Sequence, residues 1–349
     1  MAGNDTGRGR PERKGATLKD VAASAQVSLS TASRALRGQG YVAQPVKDRV
    51  LVAAQALRYV PNNSARFLRV GRSREVGVLI SDLVDPFYAE VASGIESELR
   101  NAGYQMVLAT HNGNEGNERR AARSFLSMQL AGAIVIPLSP DPLRELTGGG
   151  IIVVQTDRII PQVATDAVIG ANDRGGFAAT EYLLALGHRH IALLIDEAKW
   201  TTGAGRLDGF RRAHQEAGLP VDEHLIVYTG SYVEEARATT LRLLRDHPET
   251  TAVFAINSVL AAGAFFALGE LELAIPGAVS LMAYDDVPWM SMVDPQITTV
   301  SQHNAELGRR AAELLLSRLS SHTSGQAPPV TISLEPSLLV RRSVSRPRS

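Results

Sequence analysis

The 349-residue chain has 44% hydrophobic and 21% charged residues and contains no cysteine. This excludes a disulfide scaffold, a thiolate metal site and a cysteine nucleophile, and no apolar run is long enough to cross a bilayer. The formal charge is zero, yet residues 1–74 hold 14 Lys+Arg against 4 Asp+Glu, and residues 75–349 hold 22 against 32. A basic head on an acidic body predicts a polyanionic partner for the head.

Residues 1–15 are polar, Gly-rich and aperiodic, and read as a disordered basic tail. They lack the apolar core of a signal peptide, which predicts a cytoplasmic protein. Within the tail, Arg8-Gly9-Arg10-Pro11 resembles an AT-hook core, suited to narrow A·T-rich minor grooves. Residues 16–61 read as a helical domain. Leu18, Val21, Ala22 and Ala25 share one helix face. Ser28 caps a second helix over 29–37, with Ala32, Ala35 and Leu36 inward, closed by Gly38 and Gly40. A third helix runs from Pro45 to Leu57, burying Val46, Val50, Ala53, Ala54 and Leu57. Two short helices joined by a tight turn and braced by a third make a helix-turn-helix.

From residue 72 to 349 the rhythm changes. Short apolar runs at 76–80, 106–109, 133–137 and 151–155 read as buried parallel strands. Tyr88, Val91, Ile95 and Leu99 make an amphipathic helix ending at Gly103. After Gly175 a helix spans 177–186, and strands follow at 191–195, 225–228, 252–256 and 279–283. This alternation predicts a doubly wound α/β core, and its length predicts two lobes.

In a helix-turn-helix the second helix enters the major groove. Leu29, Ser30, Ser33 and Arg34 lie off its apolar face, and Arg34 can form a bidentate contact to guanine. Thr17, Ser28 and Thr31 offer hydroxyls for phosphate contacts. Polar residues at strand ends are candidates for a ligand cleft, because ligands of α/β lobes sit beyond strand C-termini. These are Asp157 and Arg158, Thr202 and Arg206, Asn257, and Asp285. Gly203, Gly205 and Gly209 miss the dinucleotide fingerprint, because residues including Lys199 and Trp200 separate them from the strand. They read better as a Gly-rich approach to an Arg-bearing helix. The eight histidines show no metal spacing. His188 and His190 read as structural.

The segment TLKDVAASAQVSLSTASRAL resembles the helix-turn-helix of the lactose-repressor (LacI/GalR) family. RYVPNNSARFLRVGRS resembles that family's hinge helix, here 62–71, and SREVGVLISDLVDPFYAEVASGIE the entry to its first lobe. The resemblance extends over residues 16 to about 344. It implies an all-α head, a hinge helix and a two-lobed core like a periplasmic binding protein. It also implies a homodimer on palindromic operator DNA, with no cofactor, metal or membrane partner. By the same resemblance Tyr59 and Asn62 contact DNA, Ala65 makes a close helix contact, and Leu68 wedges into the minor groove. It places Asp157, Arg158, Thr202, Arg206, Asn257 and Asp285 around an effector. Phe87, Tyr88, Trp200, Tyr232 and Trp289 are candidate aromatic faces for a sugar ring.

Three positions depart from the family pattern. Asp85 stands for a usual Asn, Ser258 for the Asp that usually follows Asn257, and His303 for a Pro after Gln302. The first two touch the cleft rim and the third a lobe crossover. The expected function is a repressor released by a sugar-like effector. Alternatives are a corepressor-type regulator with a purine-like ligand, a solute-binding module without DNA function, and an NAD(P)-linked enzyme. The TGAGRLDGF segment resembles purine-responsive members. The Asp157-Arg158 pair resembles sugar-responsive ones, and Trp200 stands where the purine pattern has Arg.

Overall fold

The computed structural model describes residues 16–37, 40–59, 73–196, 199–321 and 327–348. The tail with its Arg8–Pro11 motif and the hinge with Asn62, Ala65 and Leu68 lie outside these. The chain divides into two compact units, 1–72 and 73–349.

In the first unit, α1 (Leu18–Ser24) opens with a capping box in which Thr17 and Asp20 bond reciprocally. Gln26 takes a left-handed conformation (φ 54°) in the turn. The Ser28 hydroxyl accepts from the Thr31 N–H at 3.1 Å to start α2 (Leu29–Arg37). Pro45 sits in the first turn of α3 (Gln44–Ala56). Val21, Ala22, Ala25, Ala32, Ala35, Val50, Ala53 and Ala54 form the core. Leu57, expected inside, is 37% exposed. The helix stops at Ala56, and the left-handed Arg58 (φ 48°) turns the chain away.

The second unit holds two sheets. The first contains β1 (Glu75–Ile80), β2 (Gln105–Thr110), β3 (Gly132–Val135), β4 (Ile152–Asp157), β5 (Asp166–Gly170) and the late β11 (Thr331–Leu334). Its order is β11-β5-β4-β3-β1-β2, wholly parallel. The second contains β6 (Ile191–Ile195), β7 (Ile226–Tyr228), β8 (Ala252–Ala255), β9 (Ser280–Tyr284), β10 (Thr298–Ser301) and β12 (Ser337–Leu339). It repeats the pattern as β12-β10-β9-β8-β6-β7, with only β12 antiparallel. The strands are near-continuous buried runs because helices cover both faces. In each sheet the winding reverses beside its first strand, β1 or β6, where doubly wound folds bind ligands. The chain passes between sheets near Ala171, Gln302 and Pro336. His303, left-handed at φ 56°, bonds through Nε2 to Ser337 Oγ at 2.9 Å and so joins two of these passages.

The helix expected to begin at Phe177 begins at Asn172 and takes Gly175 and Gly176 inside it. Gly203, Gly205 and Gly209 likewise lie inside the helix Thr201–Glu216, not on an approach to it. A Cβ on Gly176 would stand 2.3 Å from the Arg206 carbonyl oxygen, and one on Gly209 2.2 Å from that of Asp173. These glycines let two backbones touch, which seats Arg206 at the lobe junction.

Candidate functional site

On the head, α2 presents Leu29 (49% exposed), Ser30 and Arg34 to solvent, with Thr31 and Ser33 half-buried. This matches a reading face that can enter a groove. Ser28 Oγ lies 2.9 Å from Ser30 Oγ and 2.8 Å from Thr31 Oγ1, a hydroxyl cluster at the positive end of the helix, where phosphates bind well. Thr17 Oγ1 donates to Asp20 at 2.7 Å, so its hydroxyl serves the cap as well as any phosphate. Tyr59 packs against the head core.

In the two-lobed unit, the strand ends carry a buried charged cluster. Asp157 ends β4 at φ 64°, and Asp285 follows β9 at φ 66°. The two lobes thus offer carboxylates in the same sparsely populated conformation, which clusters at binding sites. Each faces a buried guanidinium. Arg158 Nε lies 3.7 Å from Asp157 Oδ2, and Arg206 Nη1 lies 3.9 Å from Asp285 Oδ2. Both distances exceed hydrogen-bond reach. The Arg158 Nε–H has no hydrogen-bond partner among the described residues.

Supporting bonds fix these groups. Arg158 Nη2 donates to Tyr88 Oη at 3.0 Å. Arg206 Nε donates to Asn172 Oδ1 at 2.8 Å, Nη1 donates to the Ile256 carbonyl, and the guanidinium lies 3.8 Å from the Tyr284 ring centroid. Gln302 Nε2 donates to Asp285 Oδ1 at 2.6 Å. Asn257 caps its helix through Leu260 N–H and donates to Asp196 Oδ2 at 3.1 Å. Burial pushes the Asp285 carboxyl up to about 7, against the pull of Arg206, and raises Asp157 despite Arg158 and Arg206. Burial and the nearby Arg158 push His111 down to about 4, so it is neutral at physiological pH.

The lobes meet at the rim of this cluster. Arg158 sits 4.8 Å from the Trp200 ring centroid, and the Ile159 N–H donates to Thr201 Oγ1 at 3.2 Å. Ser258 Oγ donates to Asp85 Oδ1 at 3.0 Å.

Asp157, Arg158, Arg206 and Asp285 therefore come together, with Tyr88, Trp200 and Asn257 around them. Thr202 adjoins Thr201, which makes the cross-lobe bond instead. The other aromatic candidates are less directly placed, although the Phe87 ring lies 5.0 Å edge-on from that of Tyr88. Phe87 is 4% exposed within the first lobe's core, Trp289 packs on Phe265, and Tyr232 is 69% exposed with no ring contact to the cluster among the described residues. Sequence reasoning missed Asn172, Thr201, Tyr284 and Gln302 as site residues. Asn172 and Gln302 sit where the chain changes lobes, after strands (DAVIG and TTVS) whose polar residues break the apolar run. Tyr284 reads as the last apolar residue of a strand. His188, read as structural, is buried between Thr251 Oγ1 and the Ser345 carbonyl, 2.8 Å from each.

Residues 17–62 match the model for bacterial regulatory proteins of the lacI family, and residues 180–344 match a periplasmic binding protein-like domain. The HTH-type transcriptional repressor PurR of Yersinia pestis is 32% identical over 95% of this chain and 97% of its own. The chain belongs to the LacI family. The ribose operon repressor of Haemophilus influenzae is 29% identical over 94% of this chain and 98% of its own. Among solved structures, a transcriptional regulator CelR–cellobiose complex is 30% identical, with a TM-score of 0.72, over 94% of this chain and 100% of that one. The lac repressor bound to ONPG is 25% identical, with a TM-score of 0.83, over 95% and 100%. This LacI-family chain is a DNA-binding transcriptional regulator, and its relatives are repressors, not enzymes.

Proposed function

We propose that the protein is a homodimeric repressor that holds a palindromic operator through paired heads and releases it when a neutral, polyhydroxylated effector closes the two lobes. The observation that carries this reading is the pair of buried Arg–Asp contacts held beyond bonding distance at facing strand ends. A sugar hydroxyl can donate to Asp157 or Asp285 and accept from Arg158 or Arg206, bridging both pairs. Trp200 offers a ring at the same rim.

Each guanidinium of the site already faces a carboxyl group, Arg158 with Asp157 and Arg206 with Asp285, which favours a neutral hydroxylated ligand over a phosphorylated or carboxylated one. One LacI-family structure similar to this chain, from Enterococcus faecium, carries ribose, and the CelR structure carries cellobiose. On the DNA side, Leu29, Ser30, Ser33 and Arg34 read bases, and Thr17, Ser28 and Thr31 contact phosphates. Tyr59, Asn62, Ala65 and Leu68 complete the interface by family resemblance. A DNA partner supports a cytoplasmic location, and no described helix is long and apolar enough to cross a membrane.

Calorimetry of the full chain against sugars, sugar phosphates and purines tests the effector. Saturable binding of a neutral sugar, lost in Asp285→Ala, is expected. Tight purine binding without any sugar response contradicts it and favours the corepressor-type alternative.

A further inference from the structure

Two of the three departures from the family pattern touch each other. Asp85 caps the helix Pro86–Asn101 of the first lobe, and its Oδ1 accepts from the Phe87 N–H at 3.0 Å. The same oxygen accepts from Ser258 Oγ at 3.0 Å. Ser258 is the first residue of the helix Ser258–Glu270 in the second lobe and is only 2% exposed. One carboxylate therefore stands between the N-termini of two helices, one from each lobe, where both helix dipoles favour a negative charge. Both residues follow strands at the points where the two windings reverse, at the mouth of the cleft.

Here the first lobe supplies the acid and the second a hydroxyl, so one negative charge stands at the junction. Two acids would repel, and their helices would be driven apart.

We infer that Asp85 and Ser258 form a latch across the cleft that biases the lobes toward closure before any effector arrives. This rests on the reading that the two lobes open and close around an effector. A ligand shifts such an equilibrium only by its differential affinity, so a pre-set bias fixes how much effector is needed and how much regulator is off DNA without it. Weakening the latch raises the effector concentration required and tightens the effector-free grip on DNA.

The absence of cysteine makes the test direct. Glu115→Cys and Ser231→Cys place spin labels at exposed positions beyond the outer strands of the two sheets, on the cleft side. Labelled full-length chain is mixed with excess unlabelled chain, and the interlobe distance is read by pulsed electron paramagnetic resonance without ligand. The latch predicts a dominant short distance in the parent. Ser258→Ala lowers the closed-to-open ratio roughly tenfold, the scale of one lost bond to a charged group. Ser258→Asp lowers it further, and adding Asp85→Asn to Ser258→Asp restores the short distance. Identical distributions for the parent and Ser258→Ala overturn the latch. So does a double variant as open as Ser258→Asp alone. No ligand is present, so the sugar assignment stands or falls separately, on the calorimetric panel.

Discussion

The guanidinium of Arg206 lies 3.8 Å from the Tyr284 ring centroid and reaches to 3.9 Å from the carboxylate of Asp285. Arg206 is 5% exposed and also serves Asn172 and the Ile256 carbonyl, so one side chain ties a lobe passage to two strand ends. Arg206→Ala removes the cation beside Asp285 and leaves the Asn172 Oδ1 and Ile256 carbonyl acceptors without their donor. It should cost about 3 kcal/mol in core stability, measured by urea unfolding. Arg206→Lys should not restore effector binding, because an ammonium cannot bond along two directions of a fork while lying flat on a ring. Recovery of binding in the Lys variant contradicts the role given to the fork.

Asp285 gives a pH signature. Its folded carboxyl titrates near 7, above the ordinary value of 3.8, so the folded state binds the extra proton. Stability from this group is fully present below pH 4 and is lost as pH rises through 7. Burial lowers His188 and His214, and it also lowers His111, so these groups act oppositely, but only up to about pH 6.5. Between pH 6.5 and 8 the parent should therefore lose stability more steeply than Asp285→Asn. Parallel slopes would mean that Asp285 is already ionised in the fold. A ligand that donates to this carboxylate should also release protons near pH 7, visible as a buffer-dependent binding enthalpy.

Arg341 explains how Asp285 is held. Its Nη1 and Nη2 donate to the two oxygens of Asp286 at 2.6 and 2.9 Å, and Nη1 also reaches the Ile297 carbonyl. The chain's last residues thus clamp the loop that carries Asp285 in its left-handed conformation. Arg341→Ala should weaken effector binding about tenfold, on the scale of losing one charge-assisted contact. Operator binding without effector should be unchanged. Equal affinity in the calorimeter would show that the loop needs no clamp.

On the head, Arg34→Ala should cost about 1–3 kcal/mol on the preferred operator and little on random DNA. Ser28→Ala removes the cap of α2 and should destabilise the head by about 1 kcal/mol. Competition anisotropy with specific and random duplexes separates the two effects. Equal losses for Arg34→Ala on both duplexes would make Arg34 a phosphate contact.

Much of this architecture was legible because it is written in periodicity. The buried runs at 76–80 and 191–195 match β1 and β6 closely, and the head core falls on the expected faces. The charged quartet Asp157, Arg158, Arg206 and Asp285 was legible because strand ends and family motifs agreed. What escaped depends on long-range partners. The strands at 331–334 and 337–339 join sheets begun far earlier, and their half-exposed residues show no apolar run. Thr201, Gln302 and Arg341 are ordinary polar residues until the fold sets them beside Ile159, Asp285 and Asp286. The glycines in 201–216 look like a loop locally, and only the neighbouring helix shows that they mark a close crossing.

In the proposed function a sugar in the cleft controls the grip of the head on DNA. The most direct measurement selects genomic fragments with the purified full chain, then titrates the selected duplex with and without the sugar found by calorimetry. The expected result is a palindromic site bound by a dimer, with affinity falling at least tenfold when the sugar saturates the core and unchanged by sugar in Asp285→Ala. Binding that tightens on adding a purine and ignores every sugar would contradict it.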